Sequence, residues 1–175
     1  HFVCDYRKRC EVDIKNDPIW SPTLGDLNTK VMIVAEAPSS AGGKGPHIGG
    51  YNKDWKKDKK VDAFFGFVKK YYDTVPYFTD LIKCGLSRQS RREKNRLFPE
   101  RITYCFDKYL IKEIEIIKPK VILCVGKTSY DVLKIHENML NCELVPLIHY
   151  STQGNLTLTT DDKENIIWSL QSNNI

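Results

Sequence analysis

No stretch of this chain approaches the roughly 20 consecutive apolar residues needed to cross a bilayer, so no transmembrane helix is expected. An apolar leader is missing from the N-terminal segment, and a cytoplasmic location is the resulting expectation. No strand-like run is followed by Gly-x-Gly-x-x-Gly or by a P-loop, which weakens any reading as a dinucleotide- or nucleoside-triphosphate-binding protein. Internal repeats and low-complexity tracts are also missing. A single domain fits the 175 residues, and a chain of this length buries a full core without disulfides.

Positive charge is present, and it is uneven. The net charge is +5. Lys53, Lys56, Lys57, Lys59 and Lys60 form one basic cluster; Lys83, Arg88, Arg91, Arg92, Lys94, Arg96 and Arg101 form another. With Tyr51, Trp55 and Phe98 nearby, both clusters suit a phosphate backbone. Charge alone leaves a plain solvated loop as an equal reading.

Apolar runs and helical periodicity alternate along the chain. Val31 to Ala35, Val75 to Ile82, Val121 to Val125 and Leu144 to Ile148 read as short buried strands. Val61 to Tyr72 has helical spacing. Pro99 to Lys118 reads as a helix with Pro99 at its start and Lys118-Pro119 as its stop. Lys83 to Arg96 reads as a loop, Gly126 opens a helix running to Leu133, and Asp161 to Leu170 reads as a closing helix. Strands alternating with helices predict an α/β fold with a mostly parallel sheet. In such folds ligand loops follow the C-terminal ends of the strands. Three of these loops carry polar groups: Glu36-Ala37-Pro38, Asp80 and His149-Tyr150-Ser151.

The six cysteines are Cys4, Cys10, Cys84, Cys105, Cys124 and Cys142. Cys124 sits within an apolar strand and reads as a small core residue. Cys142 has no evident partner. The other four supply enough thiolates for either an iron–sulfur cluster or zinc.

Taken in order, these segments resemble the iron–sulfur, family-four uracil-DNA glycosylases. Val31 to Pro38 followed by Gly45-Pro46-His47-Ile48-Gly49-Gly50 looks like that family's first motif. Tyr77 to Cys84 looks like its base-reading strand and Lys-Cys pair, Lys118 to Gly126 like its Pro-Lys-Val-Ile strand and glycine, and Leu147 to Ser151 like its final His-Pro-Ser motif. The resemblance covers nearly the whole chain. It implies a three-layer sandwich around a central, mostly parallel four-stranded sheet. It also implies a monomeric DNA glycosylase that flips a nucleotide out of the duplex and hydrolyses its N-glycosidic bond.

The resemblance assigns roles residue by residue. Glu36 and His149 are the implied catalytic groups: Glu36 faces the cationic sugar or the attacking water, and His149 the oxygen of the departing base. Ala37, Ser39, His47, Asp80 and Ser151 are implied to surround the base. Arg88, Arg91, Arg92, Gln153 and Asn155 are placed on the DNA. Cys4, Cys10, Cys84 and Cys105 are implied to hold a structural [4Fe–4S] cluster, with zinc as the alternative. Their N-terminal C-x5-C spacing is wider than the usual C-x2-C.

Three base-facing positions depart from the family. Asp80 stands in place of Asn, His47 in place of a stacking Phe, and Ser39 where the best-known uracil enzymes have a Tyr that blocks C5. An ionised Asp accepts from uracil N3–H but repels O4, whereas a carboxylate accepts well from the cytosine N4 amino group. A protonated Asp would pair with both edges of cytosine, or of adenine. Together the changes predict a roomier pocket for a cytosine-type base, with space for a C5 substituent, and such bases suggest a role against phage DNA. A conventional uracil repair enzyme and a non-catalytic DNA-binding relative are the alternatives.

Overall fold

Val31, Met32, Ile33, Val34 and Ala35 leave no polar side chain to face water, so the segment is stable as a strand only when covered on both faces. It forms β1 (Val31–Ala35), and every residue in it is buried. The computed structural model describes Cys4 and residues 25–37, 66, 68–70, 72–83 and 94–147. Within these lie β2 (Tyr77–Asp80), α1 (Lys94–Cys105), a π-helical turn (Phe106–Leu110), α2 (Ile111–Ile117), β3 (Val121–Val125), α3 (Lys127–Ile135), α4 (Glu137–Leu140) and β4 (Glu143–Leu147). Residues 66, 68–70 and 72 are also helical, as the spacing before β2 predicts. The closing helix expected at Asp161 to Leu170 lies outside the described residues.

The four strands form one sheet in the order β2-β1-β3-β4, and every pairing is parallel. The fold is therefore α/β, as the alternating pattern predicts. Side chains alternate across the sheet with the period-2 geometry of a strand. Met32, Val34, Tyr77, Ile122 and Cys124 face one core, with Phe106, Leu110, Ile114, Leu133 and Leu140 from the helices. Val31, Ile33, Ala35, Phe78, Leu123, Val125, Val145 and Leu147 face a second core that includes Val68. From β1 the chain crosses to β2 on one side, then returns to β3 on the other. The C-terminal ends of β1 and β3 thus flank the point where strand order reverses, the usual ligand crevice of an open α/β sheet.

The long helical segment differs from the expectation in two ways. It begins at Lys94, so Pro99 lies inside α1 rather than at its start. Pro99 is the sixth residue of α1, so it lacks the N–H that would bond the carbonyl four residues back, and the packing of the helix offsets that loss. The segment also widens into the π-helical turn at Phe106–Leu110. Phe106, Leu110 and Ile114 are buried at successive i+4 positions. In a regular α-helix each i+4 step drifts about 40° around the axis. A wider turn takes up that drift and keeps all three on the sheet. Lys118 closes α2 in the left-handed conformation, its N–H donating to the Ile114 carbonyl at 2.8 Å, and Pro119 prevents continuation.

Candidate functional site

The buried end of β2 lies against the first loop of the sheet. Asp80 pairs in register with Ala35, and the two backbones stay together beyond both strands. Leu81 N–H donates to the Ala35 carbonyl at 2.7 Å, and Ile82 N–H to the Glu36 carbonyl at 3.0 Å. Three residues expected at the site, Glu36, Ala37 and Asp80, therefore meet at the C-terminal edge of neighbouring strands. Asp80 is only 1% exposed, whereas Glu36 and Ala37 are half-buried. On β3 the corresponding loop starts at Gly126, whose N–H donates to the Leu147 carbonyl at 2.8 Å and so holds the ends of β3 and β4 together. Ser39, His47, Arg88, Arg91, Arg92, His149, Ser151, Gln153 and Asn155 lie outside the described residues.

Beneath Asp80 is a buried cation. Lys83 is 2% exposed; its ammonium donates to Thr79 Oγ1 at 2.6 Å and to Glu113 Oε2 on α2 at 2.7 Å. Burial pushes Lys83 below the ordinary lysine range, while the charges of Glu113, Asp80 and Cys105 pull it back. The attraction between Lys83 and Asp80 exists only while Asp80 carries its charge. Lys83 thus ties the C-terminal end of β2 to the helical layer. By sequence alone Lys83 and Arg101 group with the basic residues suited to a phosphate backbone. Both are buried, so neither belongs to a DNA-facing cluster. A count of charges along the chain cannot see a tertiary counter-charge such as Glu113.

Two of the four candidate metal-binding thiols are described, and they come together. Cys4 and Cys105 are both buried, and Cys4 acts on Cys105: burial raises the Cys105 thiol, the Lys83 backbone N–H donates to it and lowers it, Cys4 raises it, and Arg101 lowers it. Tyr109 hydrogen-bonds with Cys4 and Tyr104, and burial together with those contacts pushes its phenol up. Tyr104 and Tyr109 meet edge to face, centroids 6.1 Å apart. Arg101 is 4% exposed, and among the described residues its Nε and Nη2 have no hydrogen-bond partner. Cys10 and Cys84 lie outside the described residues, and no group of three metal-ligating side chains is found among the described ones.

The donor set nevertheless fits a thiolate-bound metal centre. Two buried cysteines from distant parts of the chain converge, one N–H already points at a sulfur, and a buried guanidinium has donors to spare. Uncompensated, these features are costly; around an anionic thiolate cluster they become favourable. No part in this pocket is expected from the sequence for Arg101, Tyr109 or Glu113. The only sequence signal was the i,i+4 spacing of Arg101 and Cys105, which puts both on one face of α1. Cys124, by contrast, is the buried core thiol expected, donating weakly to the Ile122 carbonyl at 3.7 Å.

Comparison with known proteins follows the same outline. The profile of the uracil DNA glycosylase superfamily matches residues 22–170. A type-4 uracil-DNA glycosylase of Archaeoglobus fulgidus is 26% identical over 127 residues, covering 69% of this chain and 54% of that protein. A type-5 uracil-DNA glycosylase of Pyrobaculum aerophilum is 29% identical over 127 residues, covering 65% of this chain and 52% of that protein. The chain thus spans about half the length of these curated relatives.

Proposed function

The chain belongs to the uracil-DNA glycosylase superfamily, and from that premise we propose that it is a DNA glycosylase that removes a cytosine-type base. The observation that carries this reading is the buried Asp80 at the C-terminal end of β2, aligned with Ala35 and beside the loop of Glu36 and Ala37. A carboxylate there accepts a hydrogen bond from an exocyclic amino group, which cytosine offers and uracil lacks. Asp80 and Lys83 interact electrostatically, an attraction present while Asp80 is a carboxylate. Ser39 and His47, in place of the bulkier residues of the family motif, leave room for a C5 substituent, and phage DNA is a natural source of such bases.

The proposed reaction needs charge placed on both sides of the breaking bond. The nucleotide is extruded, with Arg88, Arg91 and Arg92 on the phosphates and Gln153 and Asn155 filling the gap. The bond between C1′ and the base nitrogen breaks, and its electron pair leaves with the base. His149 donates to the base oxygen as negative charge develops there, with Ser151 fixing its loop. Glu36 stabilises the cationic sugar or orients the water that adds to C1′, and the proton that this water loses neutralises the departing base anion. Cys4, Cys10, Cys84 and Cys105 would hold a [4Fe–4S] cluster, which when bound ties the N-terminal segment to α1 and takes no part in the chemical step.

Duplexes carrying uracil, cytosine, a 5-substituted cytosine or hypoxanthine at one position test the reading through formation of alkali-labile abasic sites. The expected product arises from a cytosine-type base, and Asp80→Asn shifts preference toward uracil. Cleavage at uracil alone would refute the base assignment and leave a conventional uracil enzyme, the reading favoured by the activities named for both relatives. DNA binding without abasic product would identify a non-catalytic relative.

A further inference from the structure

Arg101 is a buried cation with two donors to spare. Lys83 has Glu113 and Thr79, but Arg101 Nε and Nη2 have no acceptor among the described residues. At 4% exposure the guanidinium cannot reach a DNA phosphate. Buried guanidinium donors left unsatisfied are costly unless something present in the functional protein accepts from them. Its surroundings indicate what that is. Arg101 lies four residues before Cys105, so the two side chains leave α1 from the same face. The charges of Arg101 and Cys4 both reach the Cys105 sulfur, and Tyr109 bonds to Cys4 from the π-helical turn. The unpaired donors and the buried thiols therefore belong to one pocket.

We propose that Arg101 is a hydrogen-bond donor to the [4Fe–4S] cluster of this pocket, giving Nε–H and Nη2–H to its sulfur atoms; this rests on the cofactor reading above. A cluster held by four thiolates is a net anion with many sulfur acceptors, which matches a guanidinium with two donors to spare. A nearby positive charge and N–H···S bonds stabilise the more negative, reduced state, so Arg101 also raises the reduction potential of the cluster. It is a positioning and tuning residue and touches no substrate.

The test uses the full chain, purified without oxygen, as wild type, Arg101→Met and Arg101→Gln. Iron and acid-labile sulfide are measured, then the rate of iron release to a ferrous chelator and the midpoint potential. Arg101→Met should release iron roughly 10- to 100-fold faster, if the affinity lost with a supporting contact to a metal ligand is expressed in the release rate, with its potential shifted downward. Arg101→Gln, which keeps an N–H but no charge, should fall between. In a cluster-free Cys105→Ser background the sign should reverse: Arg101→Met raises thermal stability, because it removes buried donors left unsatisfied. This background and the Gln variant decide the matter if the Met variant does not fold. A loaded wild type whose Met variant releases iron at the same rate and keeps the same potential would overturn the role of Arg101 alone. A wild type lacking iron and sulfide would overturn the cofactor reading, and the proposal with it.

Discussion

Replacing Glu113 by Leu should reveal how much the buried Lys83 depends on its partner. Lys83 is 2% exposed and bonds Glu113 at 2.7 Å, while the Glu113 side chain is 25% exposed. Removing one partner of a buried pair costs about 3–5 kcal/mol, because the remaining charge is stranded. Water reaches Glu113, which places this pair near the lower end, about 3 kcal/mol. The double variant Lys83→Met/Glu113→Leu should recover most of the loss, since an apolar pair of similar volume is tolerated where an ion pair stood. Burial already holds Lys83 below the ordinary lysine range, and Glu113 is the largest influence opposing that shift. Without Glu113 the folded-state value falls further. Between that lowered value and the unfolded value of 10.5, the unfolded chain binds more protons than the folded one, so stability rises with pH. The variant enters this window at lower pH than the wild type and regains up to about 1.4 kcal/mol per pH unit within it. Urea denaturation at about pH 7 and about pH 9.5 should therefore show the deficit shrinking as pH rises. A deficit below about 1 kcal/mol at neutral pH, or a double variant as unstable as the sum of the two single ones, would refute the reasoning.

Three further outcomes are expected. Gly25→Ala introduces a Cβ 1.8 Å from the Pro76 carbonyl oxygen at a backbone φ of +111°; the loss should exceed about 1 kcal/mol, read as a Tm drop of at least about 3 °C. Leu110→Ala empties a fully buried position in the π-helical turn and should cost about 2–5 kcal/mol in denaturant titrations. Glu36→Gln and His149→Ala should each slow abasic-site formation by roughly 100-fold or more in single-turnover assays, with the urea midpoint nearly unchanged.

The strands were legible because their sequences allow few other states. Val31 to Ala35 and Val121 to Val125 contain only apolar residues, and both are strands over those same residues. β2 and β4 lie within one or two residues of their expected bounds, where polar ends blur the signal. Of the site, the meeting of Glu36, Ala37 and Asp80 was foreseeable from motif order, since each follows or ends a strand of one parallel sheet. Charged residues were less legible. Lys83 and Arg101 look like their basic neighbours along the chain, and only a partner from elsewhere in the fold distinguishes a buried cation from a solvated one.

Local composition and periodicity by themselves determined that this chain alternates strands with helices, and the ordered motifs determined its family. Tertiary structure alone decided the order β2-β1-β3-β4, the approach of Cys4 to Cys105, the Lys83–Glu113 pair and the unpaired donors of Arg101. The reason is physical. Propensity and hydrophobic period act over a few residues, so they are written in neighbouring side chains. The burial of a charge or thiol depends on what distant segments bring to it, and only the folded sheet and its helices bring those groups within a few ångströms.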